Sequence, residues 1–349
     1  MQARALGRRQ PQAQFDYGHF KGVVCSGGQL RFFPRLSAHY NAAHDTVPPP
    51  AGPLGRAAKA QKAIAEMYRN DVEGDCVIAS RLHALGVLSG NESGSPLLAT
   101  SAECDTNYHA ACGPGDNGCD MSVVNDYWQK TGLLVAGGRH KSDGSAAVDH
   151  TNRTLVEVAI DVFGTLDVGM NLPNAWYTSA DGSDWGPVSG AAAAIVGGHE
   201  VQAFDYDSQG VWIATWAGTR RILWAAFTSR TWIDECYTTL VPEWYANGNL
   251  APNGINAVTL KADLALVASG QVPPLPDGPT PVPPTPGPTP VPPPPAPMPS
   301  AFDLTQLPWR GQLAVNILQS CSVHGQPVQL ANPGGAGDSF GFVVSTGRR

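Results

Sequence analysis

The sequence predicts an α+β fold, with helical patterns filling the first part of the chain and strand patterns arriving late. Two observations carry that expectation. Residues 76–88 place Ile78, Leu82, Leu85 and Leu88 on one helical face, and residues 199–206 and 211–216 form two β-rich runs. The four residues between those runs, Asp207-Ser208-Gln209-Gly210, suit a hairpin connection.

The elements follow in chain order. Residues 57–69 are rich in Ala and Lys and predict a helix, broken by Asn70-Asp71 and Gly74. The helix over 76–88 comes next, its end marked by Gly86 and Gly90. Residues 91–120 read as loop by composition. Helices are expected over 123–131 and 154–163, the second lying between stretches rich in Asp and Gly.

Four regions organise the 349 residues: a basic segment over 1–50, a main domain over 51–270, a proline-rich stretch over 271–299 and a small β-like module over 300–349. Residues 273–299 hold more than half of the 31 prolines and repeat Pro-Thr-Pro-Val-Pro-Pro at 279–284 and 288–293. Such a segment extends as polyproline II and acts as a spacer. The module beyond it is short for an independent core and is expected to dock on a protein or cell-wall partner.

Charge and composition narrow the function. The formal charge of −7 argues against nucleic acid as the main partner, although Arg4, Arg8, Arg9, Lys21, Arg31 and Arg35 predict a solvated basic arm at the head of the chain. No apolar run reaches about 18 residues, so no membrane span is expected. No signal-peptide core is visible, and localisation stays open. The seven cysteines include six besides Cys76, which permit about 15 pairings if all are oxidised. Cys104, Cys112 and Cys119 lack the Cys-x-x-Cys spacing of a zinc site, and His109 does not repair it. No metal or cofactor is expected.

Chemistry concentrates at two points. Cys76 opens a helix, where unsatisfied N–H groups and the dipole lower a thiol pKa. Gly74 allows a tight bend before it, and Asp75 is placed to cap the helix while its charge opposes thiolate formation. His83 is excluded as the base: seven helical residues carry it about 10.5 Å along the axis, beyond the reach of proton transfer. His199 is the better partner, because Gly197 and Gly198 permit close approach at the head of a strand. A Cys nucleophile and a His base that the fold brings together are the minimum for thiol catalysis.

With these residues in view, Gly-Asp-Cys-Val-Ile-Ala-Ser around Cys76, Gly-Gly-His-Glu-Val around His199 and Ala-Thr-Trp-Ala-Gly at 214–218 resemble the papain-like cysteine peptidase superfamily. The resemblance covers about residues 50–245. It implies a two-lobe fold, with a helical N-terminal lobe carrying the central Cys helix and an antiparallel β lobe carrying the His, and a peptide or protein substrate between them. Asn70 stands six residues before Cys76, where the family has a Gln that stabilises the oxyanion. Ala214 stands where the family has the Asn that orients the His; Thr215 is next to it, and Asp205 and Asp207 are alternatives at the hairpin.

Two further readings stay open beside a peptidase or amidase: a non-enzymatic binding or surface module on the same fold, and an acyl transferase. Trp176, Tyr177 and Trp185 offer either a saccharide-binding face or buried aromatic packing. The sequons at Asn91 and Asn152 and the glycine run at 334–337 carry no function.

Overall fold

The structure, a computed structural model, describes residues 5–17, 20–25, 30–35, 49–246, 250–252, 256–258, 260–262, 322–323 and 326–327. The chain divides into two compact units, Met1–Pro276 and Asp277–Arg349. The proline-rich stretch lies outside the described residues. Of the small C-terminal module, only the pairing of Ser322–Val323 with Gln326–Pro327 is described.

The first unit opens with three short antiparallel strands, β1 (Ala13–Tyr17), β2 (Phe20–Val24) and β3 (Leu30–Pro34). The helices follow: α1 (Ala57–Ile64), α2 (Cys76–Ser93), α3 (Ser101–Cys112), α4 (Met121–Lys130) and, after three strands, α5 (Arg153–Phe163). Strands β4 (Leu133–Val135) and β5 (Gly138–His140) pair with each other. The remaining strands are β6 (Gly144–Ala147), β7 (Leu166–Pro173), β8 (Ile195–Tyr206), β9 (Gly210–Thr215), β10 (Gly218–Leu223) and β11 (Ile233–Leu240). They form one antiparallel sheet in the order β10-β9-β8-β7-β11-β6. Helices before a sheet give the α+β arrangement that the sequence predicts.

Three differences have physical causes. Helix α1 stops at Ile64, and Tyr68 and Arg69 then adopt positive φ values of 50° and 66°. Helix α2 runs five residues past its expected end and closes at Gly94, whose φ of 77° suits a glycine C-cap. Gly86 and Gly90 are packing positions: a Cβ at Gly86 would lie 2.3 Å from Ala63 Cβ, and one at Gly90 would lie 2.6 Å from the Lys59 carbonyl. Their missing side chains let α1 lie against α2. Within the expected loop, α3 forms on a capping box, with Thr100 accepting from the Glu103 N–H and Glu103 accepting from the Thr100 N–H.

The head of the chain is not a solvated arm. Arg8 is 4% exposed, Arg9 faces Asp120, Arg31 pairs with Asp126 at 2.6 Å, and Arg35 pairs with Asp16. Acids distant in sequence neutralise these charges one by one, which local composition does not reveal. Arg35 also bridges to Ala147 on β6, and the Cys25 thiol lies 2.7 Å from Ser122 Oγ. No helix among the described residues is long and apolar enough to cross a membrane.

The core lies between α2 and the large sheet, where Leu82, Leu85, Trp128, Val168, Val201 and Tyr237 are fully buried. Burial of such side chains is the main driving force for the fold, at about 1.5–3 kcal/mol each. This packing holds the start of α2 against β8.

Candidate active site

Helix α2 presents Cys76 as its first residue, and β8 carries His199 opposite Met170 of β7. A buried polar network fixes the helix to the strand. Arg81 is fully buried and pairs with Glu200, the neighbour of His199, and with Asp167 of β7 at 3.1 Å. Asn125 Oδ1 accepts from Arg81 Nε and Nη2 at 3.0 and 2.8 Å, while Ser80 Oγ donates to Gln202 Oε1 at 3.1 Å. A buried charge must be paired to be tolerated, so these bonds hold α2 and β8 in one register. The sequence carried a signal for this: Arg81 stands on the apolar face that Ile78 and Leu85 define.

A small cavity of about 10 Å³, room for no more than about one water, lies at the head of α2, with Asn70, Cys76, Ser80, His83, Thr215 and Trp216 among its lining residues. Thr215 and Trp216 hold the His199 ring. Its Nε2 lies 3.0 Å from Thr215 Oγ1, and Trp216 stacks on it with ring centres 4.2 Å apart and planes 11° apart. A two-residue turn joins β9 to β10, and it requires φ of 44° at Trp216 and 60° at Ala217. A left-handed L-residue costs about 1–2 kcal/mol, strain of the kind found at sites that must aim a side chain. The structure thus brings Cys76, Asn70 and Thr215 to one cavity and His199 to Thr215.

The other candidates for the position beside His199 go elsewhere. Asp205 accepts from the backbone N–H groups of Leu54, Gly55 and Arg56, at 2.7 to 3.3 Å. Asp207 is taken up by Arg221, Trp212 and the hairpin N–H groups of Gln209 and Gly210. Ala214 borders the cavity beside Thr215 but packs with Ala60, Ile64, Val87 and Phe204, and it has no polar group to offer the imidazole. His83 is a packed histidine. Its Nδ1 lies 2.9 Å from the Ala63 carbonyl, its ring meets Tyr68 edge-on, and burial pushes it down to about 4.

The electrostatics at Cys76 differ from the expectation for a helix-opening thiol. Burial dominates and pushes the thiol up to about 12; hydrogen bonding from the backbone of Gly7 and Arg8 and the Arg8 charge pull the other way, and the Asp75 carboxylate adds to the rise. Asp75 does not cap the helix with its side chain. Its carboxylate accepts from Asn70 Nδ2 at 3.1 Å and from the Cys104 thiol at 3.1 Å, and burial pushes it up to about 7. Near neutrality it is therefore only about half ionised, which reduces the charge that opposes a thiolate. Asn70 Nδ2 also reaches the Glu73 carbonyl at 3.5 Å, so its amide is engaged beside the cavity.

The cause of this burial is the head of the chain. Residues 5–9 run past Cys76, with the Ala5 N–H donating to the Asn70 carbonyl at 2.8 Å. The Cys119 N–H donates to Gly7 O at 2.6 Å and the Arg9 N–H to Cys119 O at 2.8 Å, a parallel bridge between Arg8 and Cys119. Glycines make the passage. A Cβ at Gly7 would lie 1.5 Å from Gly74 O, and one at Gly198 would lie 2.3 Å from Arg8 O. Gly74 and Gly198 therefore admit this segment; Gly74 is not there for a tight bend. Cys112 and Cys119 form a disulfide that closes the loop facing it, while Cys25, Cys76, Cys104 and Cys236 are free and buried.

Two remaining features are resolved by packing. Trp176 and Trp185 are buried and stacked, with ring centres 5.2 Å apart, so they form an aromatic wall and not a saccharide-binding face. Glu73, Asp105 and His109 offer ligand atoms within 4.8 Å of one another, but Arg69 already pairs with Glu73 and lies 3.6 Å from Asp105.

No protein-family model matches the sequence, and no curated protein matches it. Solved structures similar to this chain include xylellain, a cysteine protease from Xylella fastidiosa, at 13% identity and a TM-score of 0.49, covering 69% of this chain and 98% of that one. The Carica candamarcensis cysteine protease CMS1MS2 in complex with E-64 matches at 16% identity and a TM-score of 0.38, over 48% of this chain and 89% of that one. ProCathepsin B S9 from Trypanosoma congolense matches at 14% identity and 0.40, over 51% and 73%. In structure, the chain matches papain-like cysteine proteases at low sequence identity.

Proposed function

We propose that the chain is a cysteine hydrolase of peptide or amide bonds, with Cys76 as nucleophile, His199 as general base and Thr215 as the group that orients the imidazole. The observation that carries this reading is one cavity lined by Cys76 and by the Thr215 and Trp216 side chains that hold His199. A Nε2–H that donates to Thr215 Oγ1 leaves Nδ1 as the basic nitrogen.

In the reaction, His199 takes the thiol proton as Cys76 Sγ bonds to the substrate carbonyl carbon. The oxyanion that forms is met by the Cys76 N–H at the helix start and by Asn70 once its amide turns from Asp75. His199 then gives its proton to the leaving amine as the C–N bond breaks, which leaves a thioester on Cys76. Water, deprotonated by His199, attacks the thioester and returns the thiol. An amine in place of water would give the acyl transferase outcome from the same intermediate.

A specific observation favours the binding-module reading: the thiol is buried and pushed up to about 12 in this arrangement. A hydrolase needs residues 5–9 to leave before it acts. Incubating the full chain with a mixed peptide pool and following products by mass spectrometry separates the readings. Cleavage that disappears in Cys76→Ala and His199→Ala supports the hydrolase, and no cleavage above the Cys76→Ala level overturns it.

A further inference from the structure

The guanidinium of Arg8 fills a buried polar pocket made by β7 and β11. It is fully buried, donates to Asp234 Oδ1 at 2.7 Å, lies 3.5 Å from Glu235 Oε2 and reaches the Met170 carbonyl at 3.4 Å. The wall beside it is a glycine: a Cβ at Gly169 would lie 2.5 Å from Arg8 Nε and 2.8 Å from its Cζ. Room for a planar cation is therefore built into β7. Met170 pairs with His199 across the sheet, so this pocket adjoins the candidate catalytic strand.

Charge balance gives the pocket its preference. Lys21 lies close enough to Asp234 and Glu235 to feel both, as Arg8 does, and Arg81 also acts on Glu235 but is shared with Glu200 and Asp167. Without Arg8 the group carries one uncompensated negative charge in a buried place, a cost that a second cation removes. The backbone around Arg8 explains why the segment itself is not the substrate. The backbone of Gly7 and Arg8 hydrogen-bonds toward the sulfur, while the Gly7 carbonyl is turned to the Cys119 N–H. A scissile bond must instead offer its carbonyl carbon to the sulfur.

We propose that Asp234, Glu235 and the Met170 carbonyl form a specificity pocket for a cationic side chain of the peptide substrate, and that Arg8 occupies it as an internal stand-in. The proposal rests on the hydrolase reading. When residues 5–9 withdraw, an arginine or lysine of the substrate takes the place of the guanidinium and anchors the peptide across Cys76.

The test uses the full chain, together with Arg8→Gln, Asp234→Asn, Glu235→Gln and the double acid variant. Each is treated with a set of thiol-reactive peptidyl ketones that differ only in carrying Arg, Lys, norleucine or Glu at each position in turn, and Cys76 modification is timed by intact mass. The expected result is one position at which Arg and Lys label about tenfold or more faster than norleucine, with that ratio falling to about one in the double acid variant. Because the ratio is taken within each protein, partial misfolding of a variant does not mimic it, and the parent chain carries the comparison if Arg8→Gln fails to fold. Labelling of Cys76 that ignores charge at every position overturns the pocket and leaves the hydrolase reading intact, as does a preference that survives in the double acid variant. Labelling of Cys76 by none of the probes, in the parent chain or in Arg8→Gln, overturns the hydrolase reading and the pocket with it.

Discussion

His199 Nε2 meets a hydroxyl where the family resemblance implies an amide. Thr215 Oγ1 lies 3.0 Å away, and the ring is additionally held by Trp216. A single neutral hydrogen bond is worth about 1 kcal/mol, so Thr215→Ala is expected to lower kcat/KM about fivefold to tenfold, measured on any substrate the parent cleaves. Cys76→Ala is expected to remove turnover entirely, measured on the same substrate. Two other residues near Cys76 give stability a pH dependence of opposite sign. Asp75 is raised to about 7 in the fold, so its contribution is full below about pH 4 and is lost as pH rises through about 7. His83 is depressed to about 4, so its contribution is full above about pH 6.5 and is lost as pH falls through about 4. Thermal melts of Asp75→Asn between pH 4 and 8 are expected to show the loss of Tm toward alkaline pH largely removed.

Helix α2 and strand β8 act as one unit because of what lies between them. Arg81→Met keeps the volume but leaves Glu200 and Asp167 buried without their cation, and it is expected to cost about 3–5 kcal/mol in a chemical denaturation midpoint. The same elements show how much the sequence discloses. Their periodicity was readable because it depends on local spacing: α2, α5 and the β8–β9 hairpin lie where the pattern puts them. Gly86 and Gly90 misled because a glycine in a helix has two uses, as a stop or as a place of close approach, and only the neighbour, α1, decides between them. Helix α3 was hidden by a turn-rich composition, although Thr100 and Glu103 spelled out its capping box.

At the scale of the whole first unit, the head of the chain covers the candidate nucleophile Cys76. Nothing local in residues 5–9 announces this, because the partners Cys119, Asp234 and Glu235 are more than 100 residues away. Motif and spacing single out Cys76 and His199 as candidates, and nothing comparable marks the covering segment. Arg8→Ala removes the buried ion pairs that seat this segment and is expected to speed alkylation of Cys76 about tenfold or more, followed by intact mass at pH 7. The most direct test of the central claim, a Cys76 thiol activated by His199, is the pH dependence of that alkylation in Arg8→Ala, with and without His199→Ala. Fast modification is expected, with an apparent pKa well below the free-thiol value of about 8.5 that rises toward it when His199 is removed. Uniformly slow modification, with a pKa near the free value and no change in His199→Ala, would contradict it.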